Sequence, residues 1–286
     1  MKNILEETKF IMRKYGIKAN KALGQNFLIR EEVIEAIINS AKIDKDDLVI
    51  EIGPGLGTLT EYLLKKAGKV ICIELDNKMI SILNDRFSLY NNFEIINKDV
   101  LKVNLNKLIS KEKLNGAIKN VKVVANLPYY ITTPIIMKLL EEELDIESIT
   151  VMIQKEVADR LAATPGEKNT GAITYTVYFY CEAEKIMEVP NDSFIPKPEV
   201  TSEVINLNLR KEQKVKITDE KLFFHVIKLA FMQRRKTLLN SLINGNVFKS
   251  KEEGKRILEE LNLNPNIRAE NLSIQDFAKI SNKIKE

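Results

Sequence analysis

An amide, two main-chain carbonyls and a phenol ring stand together where Val123-Val124-Ala125 gives way to Asn126-Leu127-Pro128-Tyr129. The Asn126 side-chain carbonyl and the Leu127 or Pro128 carbonyl are acceptors with no proton to give. Pro128 fixes its own φ and holds Leu127 extended, so those carbonyl directions are rigid. Tyr129 adds a flat face. Two fixed acceptors and a stacking face suit a planar base with an exocyclic NH2. The nitrogen of such an amine is a poor nucleophile, because its lone pair is delocalised into the ring. Holding both hydrogens on acceptors favours a less planar nitrogen whose lone pair can point at an electrophile. No strong base is needed, since the alkylated nitrogen is acidic and water can take the proton. The acceleration would come from alignment and preorganised dipoles. Taken alone, the same four residues also describe a strand-ending turn.

A second constellation lies upstream. The apolar run Leu48 to Ile52 delivers the chain to Gly53, Gly55 and Gly57. Glycine permits a tight turn and lets backbone N–H groups approach a ligand closely. The spacing is Gly-x-Gly-x-Gly, which departs from the Gly-x-Gly-x-x-Gly of a pyrophosphate binder. Glu74 ends the next strand, 21 residues after Gly53. A carboxylate there can take both hydroxyls of a ribose. Asp99 ends the third strand, placed to accept from an adenine amino group, although an N-capping aspartate would look the same. These strand ends describe a site for an adenosine-bearing ligand. NAD and S-adenosylmethionine both fit that description.

The elements that must position these residues alternate. Strands fit Leu48–Ile52, Val70–Ile73, Phe93–Ile96, Val121–Ala125 and Ile149–Ile153, and helices fit Thr58–Lys66, Lys78–Phe87 and Pro134–Glu142. Further strands fit Ile173–Cys181 and Val204–Leu209. This order argues a doubly wound α/β sheet. From about Arg210 the pattern turns helical. Phe223, Val226, Ile227, Ala230 and Phe231 fall at helical spacing, and helices fit Lys251–Leu261 and Ile274–Ile284. The expected domains are 1–210 and 211–286. The lone His225, beside an apolar helical face, reads as a packing residue. One histidine and two separated cysteines make a zinc site improbable, and no metal is expected.

Charge is uneven along the chain. Arg210 to Glu286 holds 17 Lys/Arg against 10 Asp/Glu, a net +7, while the remainder carries −3. A basic C-terminal quarter behind a mildly acidic body fits a polyanionic partner, or a solvated helical surface. Cys72 and Cys181 sit in apolar runs, as reduced packed thiols do, which favours a cytoplasmic protein. The first residues lack the apolar core of a signal peptide. No apolar run approaches the ~20 residues of a membrane span.

Six segments together resemble the KsgA/RsmA family of ribosomal RNA adenine dimethyltransferases: GQNFL (24–28), EIGPGLGTLT (51–60), NLPYYITTPI (126–135), MIQKEVADR (152–160), FIPKPEVTS (194–202) and RRKTLLNSL (234–242). The resemblance spans most of the chain. It implies a Rossmann-like methyltransferase domain with a small helical C-terminal domain that meets the RNA. S-adenosylmethionine would be the methyl donor, leaving as S-adenosylhomocysteine. The implied substrate is a pair of adjacent adenosines in the 3′-terminal hairpin loop of 16S rRNA, dimethylated at N6 within the small subunit or its precursor. Cofactor contacts are implied for Asn26, Leu28, Gly53, Gly55, Glu74, Leu75, Asp99, Val100 and Asn126. The target adenine would meet Asn126, Leu127 and Pro128 and lie between Tyr129 and Phe194. Near GQNFL, the basic residues Lys14, Lys18, Lys21 and Arg30 are candidates for phosphate contact. The family often carries an aromatic residue before the glycine where this chain has Thr170-Gly171. The expected state is a monomer with no membrane contact.

Three other functions fit parts of the sequence. An Erm-type enzyme acting on large-subunit 23S rRNA shares the motifs. A non-catalytic assembly or transcription factor could keep the fold, though the intact Gly53, Glu74, Asp99 and Asn126 argue against it. An NAD oxidoreductase would lack its usual glycine spacing.

Overall fold

The computed structural model describes residues 3–20, 24–114, 116–233 and 235–285. Lys21 and Arg234, singled out above, lie outside these residues. The chain forms two compact units, Met1–Ala158 with Ala183–Leu209, and Asp159–Glu182 with Arg210–Glu286.

In the first unit, α1 (Ile4–Lys14), a two-residue strand β1 (Phe27–Leu28) and α2 (Glu31–Ser40) precede the alternating elements. These are β2 (Asp47–Ile52), α3 (Thr58–Lys66), β3 (Lys69–Glu74), α4 (Asn77–Phe87), β4 (Phe93–Asn97), α5 (Leu105–Lys113), β5 (Asn120–Asn126), α6 (Thr132–Glu141) and β6 (Ser148–Gln154). The chain then passes through α7 (Lys155–Ala162) and α8 (Ala172–Tyr180), the latter within the second unit, and returns as β7 (Cys181–Val189), β8 (Phe194–Ile195) and β9 (Ser202–Leu209). The main sheet runs β4-β3-β2-β5-β6-β9-β7. Strands β2 to β6 pair in parallel, and β9 runs antiparallel to β6. Helices cover parallel strands on both faces, so β2, β3, β5 and β6 are largely apolar, interrupted by the buried Glu51 in β2 and Lys122 in β5. Val49, Val70, Cys72 and Val124 pack with Ile34 and Ile37 of α2 and Leu63 and Leu64 of α3 in one core.

This topology fixes where a ligand can sit. From β2 the chain winds to one side through β3 and β4, then returns to β5 on the other side. That reversal opens a crevice beyond the carboxyl end of β2, flanked by β3 and β5. The amino ends of the same strands are closed by a buried ion pair. Lys122 Nζ lies 2.7 Å from Asp47 Oδ2 and also donates to the Lys42 carbonyl at 2.6 Å.

The second unit is helical, with α9 (Glu220–Met232), α10 (Leu238–Asn244), α11 (Lys251–Glu260) and α12 (Ile274–Lys285) joined by α8. Its composition corrects one expectation. Residues 173–181 were expected to form a strand, but they lie almost wholly in the helix α8, and the strand begins only at Cys181. The segment is rich in β-branched and aromatic residues, which favour strands. Its burial explains the override. Tyr175 and Phe179 are fully buried against Phe277 of α12 and Phe223 of α9. A helix apolar around its circumference belongs in a core. The Thr174 hydroxyl, accepting from the Gly171 N–H at 3.0 Å, caps the first turn. Thr170 is buried there too, its hydroxyl donating to the Glu167 carbonyl.

His225 corrects another. It is exposed on α9, while Phe223, Val226, Ile227 and Ala230 form the buried stripe. Both cysteines are free and buried. Among the described residues there is no cluster suited to a metal ion, and no helix is long and apolar enough to cross a membrane.

Candidate active site

The glycine turn leaves β2 with Gly53 donating its N–H to the Ile73 carbonyl at 3.0 Å. Gly57, at φ 81°, opens α3. A Cβ on Gly57 would stand 2.6 Å from Phe87 and 2.7 Å from Leu83, so glycine alone lets α3 pack on α4 there. Gly55 donates its N–H to Glu74 Oε2 at 3.3 Å. The other carboxylate oxygen of Glu74 accepts from the N–H groups of Leu75, at 2.7 Å, and Asp76, at 2.8 Å. Burial pushes the Glu74 carboxyl up from its ordinary value, and those three backbone donors pull it partly back. The result is a stiff carboxylate at the carboxyl end of β3.

Asp99 follows β4 and does cap, accepting from the Leu101 N–H at 3.0 Å through Oδ1. It also lines the crevice. The capping reading of this aspartate therefore holds, and the residue also stands on the wall of the crevice.

Asn126 ends β5. Its Nδ2 donates to the Asn26 main-chain carbonyl at 3.3 Å. That contact fixes the sense of the amide. The NH2 must face the carbonyl, which leaves Oδ1 as the acceptor turned elsewhere. Sequence separation hides it, because the partners are 100 residues apart. The loop holding Asn26 is itself tethered. Gln25 donates to Asp76 Oδ2 at 2.9 Å and accepts from the Asn20 N–H. Phe27 and Leu28 pair antiparallel with Ile195 and Phe194. Arg30 lies 2.9 Å from Asp192, and Lys14 3.0 Å from Asp85. Two of the four candidate phosphate contacts thus already carry carboxylate partners.

One crevice is lined by all nine residues expected to contact a cofactor: Asn26, Leu28, Gly53, Gly55, Glu74, Leu75, Asp99, Val100 and Asn126. Pro128 joins them. Leu127 is buried, its N–H donating to the Met152 carbonyl at 3.1 Å. The Pro128 carbonyl accepts from the Ile131 N–H and the Thr132 hydroxyl. Tyr129 is half-buried just outside the wall, its hydroxyl 2.8 Å from Ser202 Oγ. Phe194 stands apart. It is 3% exposed and packs in the main core, so in this structure it presents no face to the crevice. The prolines beside it gave no signal of that burial.

Sequence reasoning did not single out Gln25, Tyr130 or Glu51, which also line the crevice. Glu51 lies in the glycine motif itself, and its inward turn follows from strand alternation in β2. It is 2% exposed, and its Oε2 accepts from Thr60 at 2.6 Å and Cys72 at 3.4 Å. Burial pushes its carboxyl up to about 7, from 4.5, against the pull of those two donors. The unfolded chain releases this proton near pH 4.5, whereas the folded chain holds it until about 7. Its contribution to stability is therefore full below pH 4.5 and falls as pH rises, by about 3 kcal/mol once above 7. Urea unfolding at pH 5 and pH 8 should show most of that drop in the wild type and little of it in Glu51→Gln. Equal drops in both would remove Glu51 as the source.

The sequence model of the ribosomal RNA adenine dimethylase family matches residues 16–286. Ribosomal RNA small subunit methyltransferase A of Clostridioides difficile is 49% identical over 277 residues, covering 97% of this chain and 94% of that one. The protein of the same name from Alkaliphilus metalliredigens is 48% identical over 278 residues, covering 97% and 96%. Among solved structures, a dimethyladenosine transferase from Plasmodium falciparum has a TM-score of 0.71 at 30% identity, covering 89% of this chain and 95% of that one. The 23S rRNA methyltransferase ErmE has a TM-score of 0.67 at 22% identity, covering 91% and 100%, a likeness of fold. With that family model matched over most of its length and relatives at 48–49% identity across 97% of it, this chain belongs to the ribosomal RNA adenine dimethylase family.

Proposed function

We propose that this rRNA adenine dimethyltransferase acts at N6 of two adjacent adenosines in the 3′-terminal hairpin loop of 16S rRNA, in the small ribosomal subunit or its precursor. S-adenosylmethionine is its proposed cofactor, and it works as a cytoplasmic monomer. The observation that carries the reading is the fixed amide of Asn126, whose Oδ1 is left to accept from the reacting amine.

The residues around the crevice fit the cofactor. Glu74 and Asp99 place carboxylates on the wall, with Lys98 the one basic side chain among the described lining residues. A dinucleotide would bring two phosphates against those carboxylates, whereas a sulfonium brings positive charge. Glu74 would hold the ribose hydroxyls, Asp99 the adenine amino group, and Leu28, Leu75 and Val100 the apolar faces. Gly53 and Gly55 let the backbone come close. When bound, S-adenosylmethionine supplies a methyl group on positively charged sulfur.

The chain's own part is to hold the base. Asn126 Oδ1 accepts one amino hydrogen. Because the Pro128 carbonyl is engaged by Ile131 and Thr132, the Leu127 carbonyl is the proposed second acceptor. Tyr129 gives the stacking face, with Phe194 behind the site as part of its support. After the first methylation one N–H remains, so the amine must turn before the second transfer. Water removes the proton from the methylated nitrogen, and no side chain is needed as a base.

Purified under-methylated small subunits, incubated with the protein and methyl-labelled S-adenosylmethionine, should gain label at two adjacent adenosines. Label confined to large subunits would move the substrate to 23S rRNA. Tight particle binding without transfer would make the protein an assembly factor.

A further inference from the structure

Ser202 opens β9 and is fully buried. Its strand runs antiparallel to β6, so the amino end of β9 lies at the same sheet edge as the carboxyl ends of the parallel strands. Ser202 pairs with Gln154, the last residue of β6, and the Thr201 carbonyl accepts from the Lys155 N–H at 3.0 Å. The ladder on β6 therefore fixes the serine backbone. β6 in turn pairs with β5, which ends at Asn126. Ser202 Oγ and Tyr129 Oη, 73 positions apart in sequence, stand 2.8 Å from each other.

A buried hydroxyl is disfavoured beside apolar strand residues unless it finds a partner. Val204 and Ile205, just along β9, are fully buried and apolar. Ser202 finds its partner in Tyr129. The phenol, by contrast, is half-buried and could be satisfied by water. The contact thus explains the serine better than it explains the tyrosine. It also removes a freedom of the tyrosine. Tyr129 follows Pro128 in a single short turn, Tyr129–Ile131, whose own bonds do not fix the ring. A ring held at its far end keeps the direction of its long axis, and the phenol O–H, which lies in the ring plane, favours one turn about that axis.

We infer that Ser202 is a positioning residue, holding the far end of the Tyr129 ring so that the ring stays where the target adenine stacks. The inference rests on the proposed role of Tyr129 as the stacking face. Ser202 touches neither base nor cofactor. It acts by keeping the base from sliding while Asn126 holds the amine, so its loss is felt in the methyl-transfer step.

The test compares wild type, Ser202→Ala, Tyr129→Phe and the double variant on under-methylated small subunits. Cofactor affinity is measured by calorimetry and stability by thermal unfolding. Each single variant should lower kcat about tenfold, the worth of one well-placed hydrogen bond. Cofactor affinity should stay within about twofold, and the double variant should be no slower than either single one. Ser202→Cys, which keeps a weak donor, should recover part of the rate. A slowed Ser202→Ala beside a normal Tyr129→Phe would make the effect one of core packing and overturn the inference. So would full activity in both, or multiplicative losses in the double variant. A wild type that transfers no methyl group would instead overturn the function itself.

Discussion

Asn126→Ala should lower methyl transfer to adenine by about 10²- to 10³-fold, the range for removing one preorganised polar group at a reacting centre. The expectation follows from the orientation of the amide. Nδ2 is committed to the Asn26 carbonyl, so Oδ1 is the atom the side chain can offer the amine. Alanine deletes that acceptor and leaves the Asn26 carbonyl without its donor. Asn126 also lines the crevice, so cofactor affinity should fall, but only a few-fold. Asn126→Asp separates the two duties. It keeps an acceptor for the amine but sets a carboxylate oxygen against the Asn26 carbonyl, so the loop should loosen and cofactor affinity should fall further than with alanine. Single-turnover rates with labelled donor, beside calorimetric affinities, would distinguish them. Near-normal turnover of Asn126→Ala would remove the residue from the chemistry.

Both halves of this expectation were legible to different degrees. The strand end was plain, because a parallel strand covered on both faces reads as a mostly apolar run, and Val121 to Ala125 does apart from Lys122. The same logic located β2, β3 and β6, and the glycines marked the turn beyond β2. The partner of Asn126 was not legible by pattern. Asn26 sits in a loop with no periodicity, and only likeness to a family pointed there. Ser202 was hidden for a similar reason, since hydrogen bonds between distant side chains leave no spacing in one sequence.

Two errors show what local reading omits. For α8, strand propensity was correctly read and then overridden, because helix α8 gains a buried position between α9 and α12. Nothing in residues 172–180 announces those neighbours. His225 was a different failure, since the signal existed. With Phe223, Val226, Ile227 and Ala230 defining the inward stripe, position 225 falls about 200° around the helix from 223 and must face out. Phe194 shows a third limit. A motif can place an aromatic near a site without telling which way the ring turns.

Glu74→Ala should weaken cofactor binding by about 10²-fold or more while slowing bound-state chemistry far less. Two hydroxyls donating to one carboxylate are worth about 1.5 to 3 kcal/mol each. The carboxylate is also the hub of the turn, accepting from the N–H groups of Gly55, Leu75 and Asp76. Alanine therefore removes the ligand's acceptor and strands three backbone donors together. Glu74→Gln keeps the size and one acceptor oxygen but presents an NH2 to a donor on its other side. It should sit between wild type and alanine, with the turn better preserved. The pH dependence gives an independent check. Burial raises the Glu74 carboxyl, so it gains its proton at a higher pH than an exposed glutamate as acidity increases. Cofactor affinity should then fall on acidification earlier than an ordinary carboxylate would predict, and Glu74→Gln should lose that part of the profile. If the glutamine variant kept the wild-type profile, the titrating group would lie elsewhere on the wall.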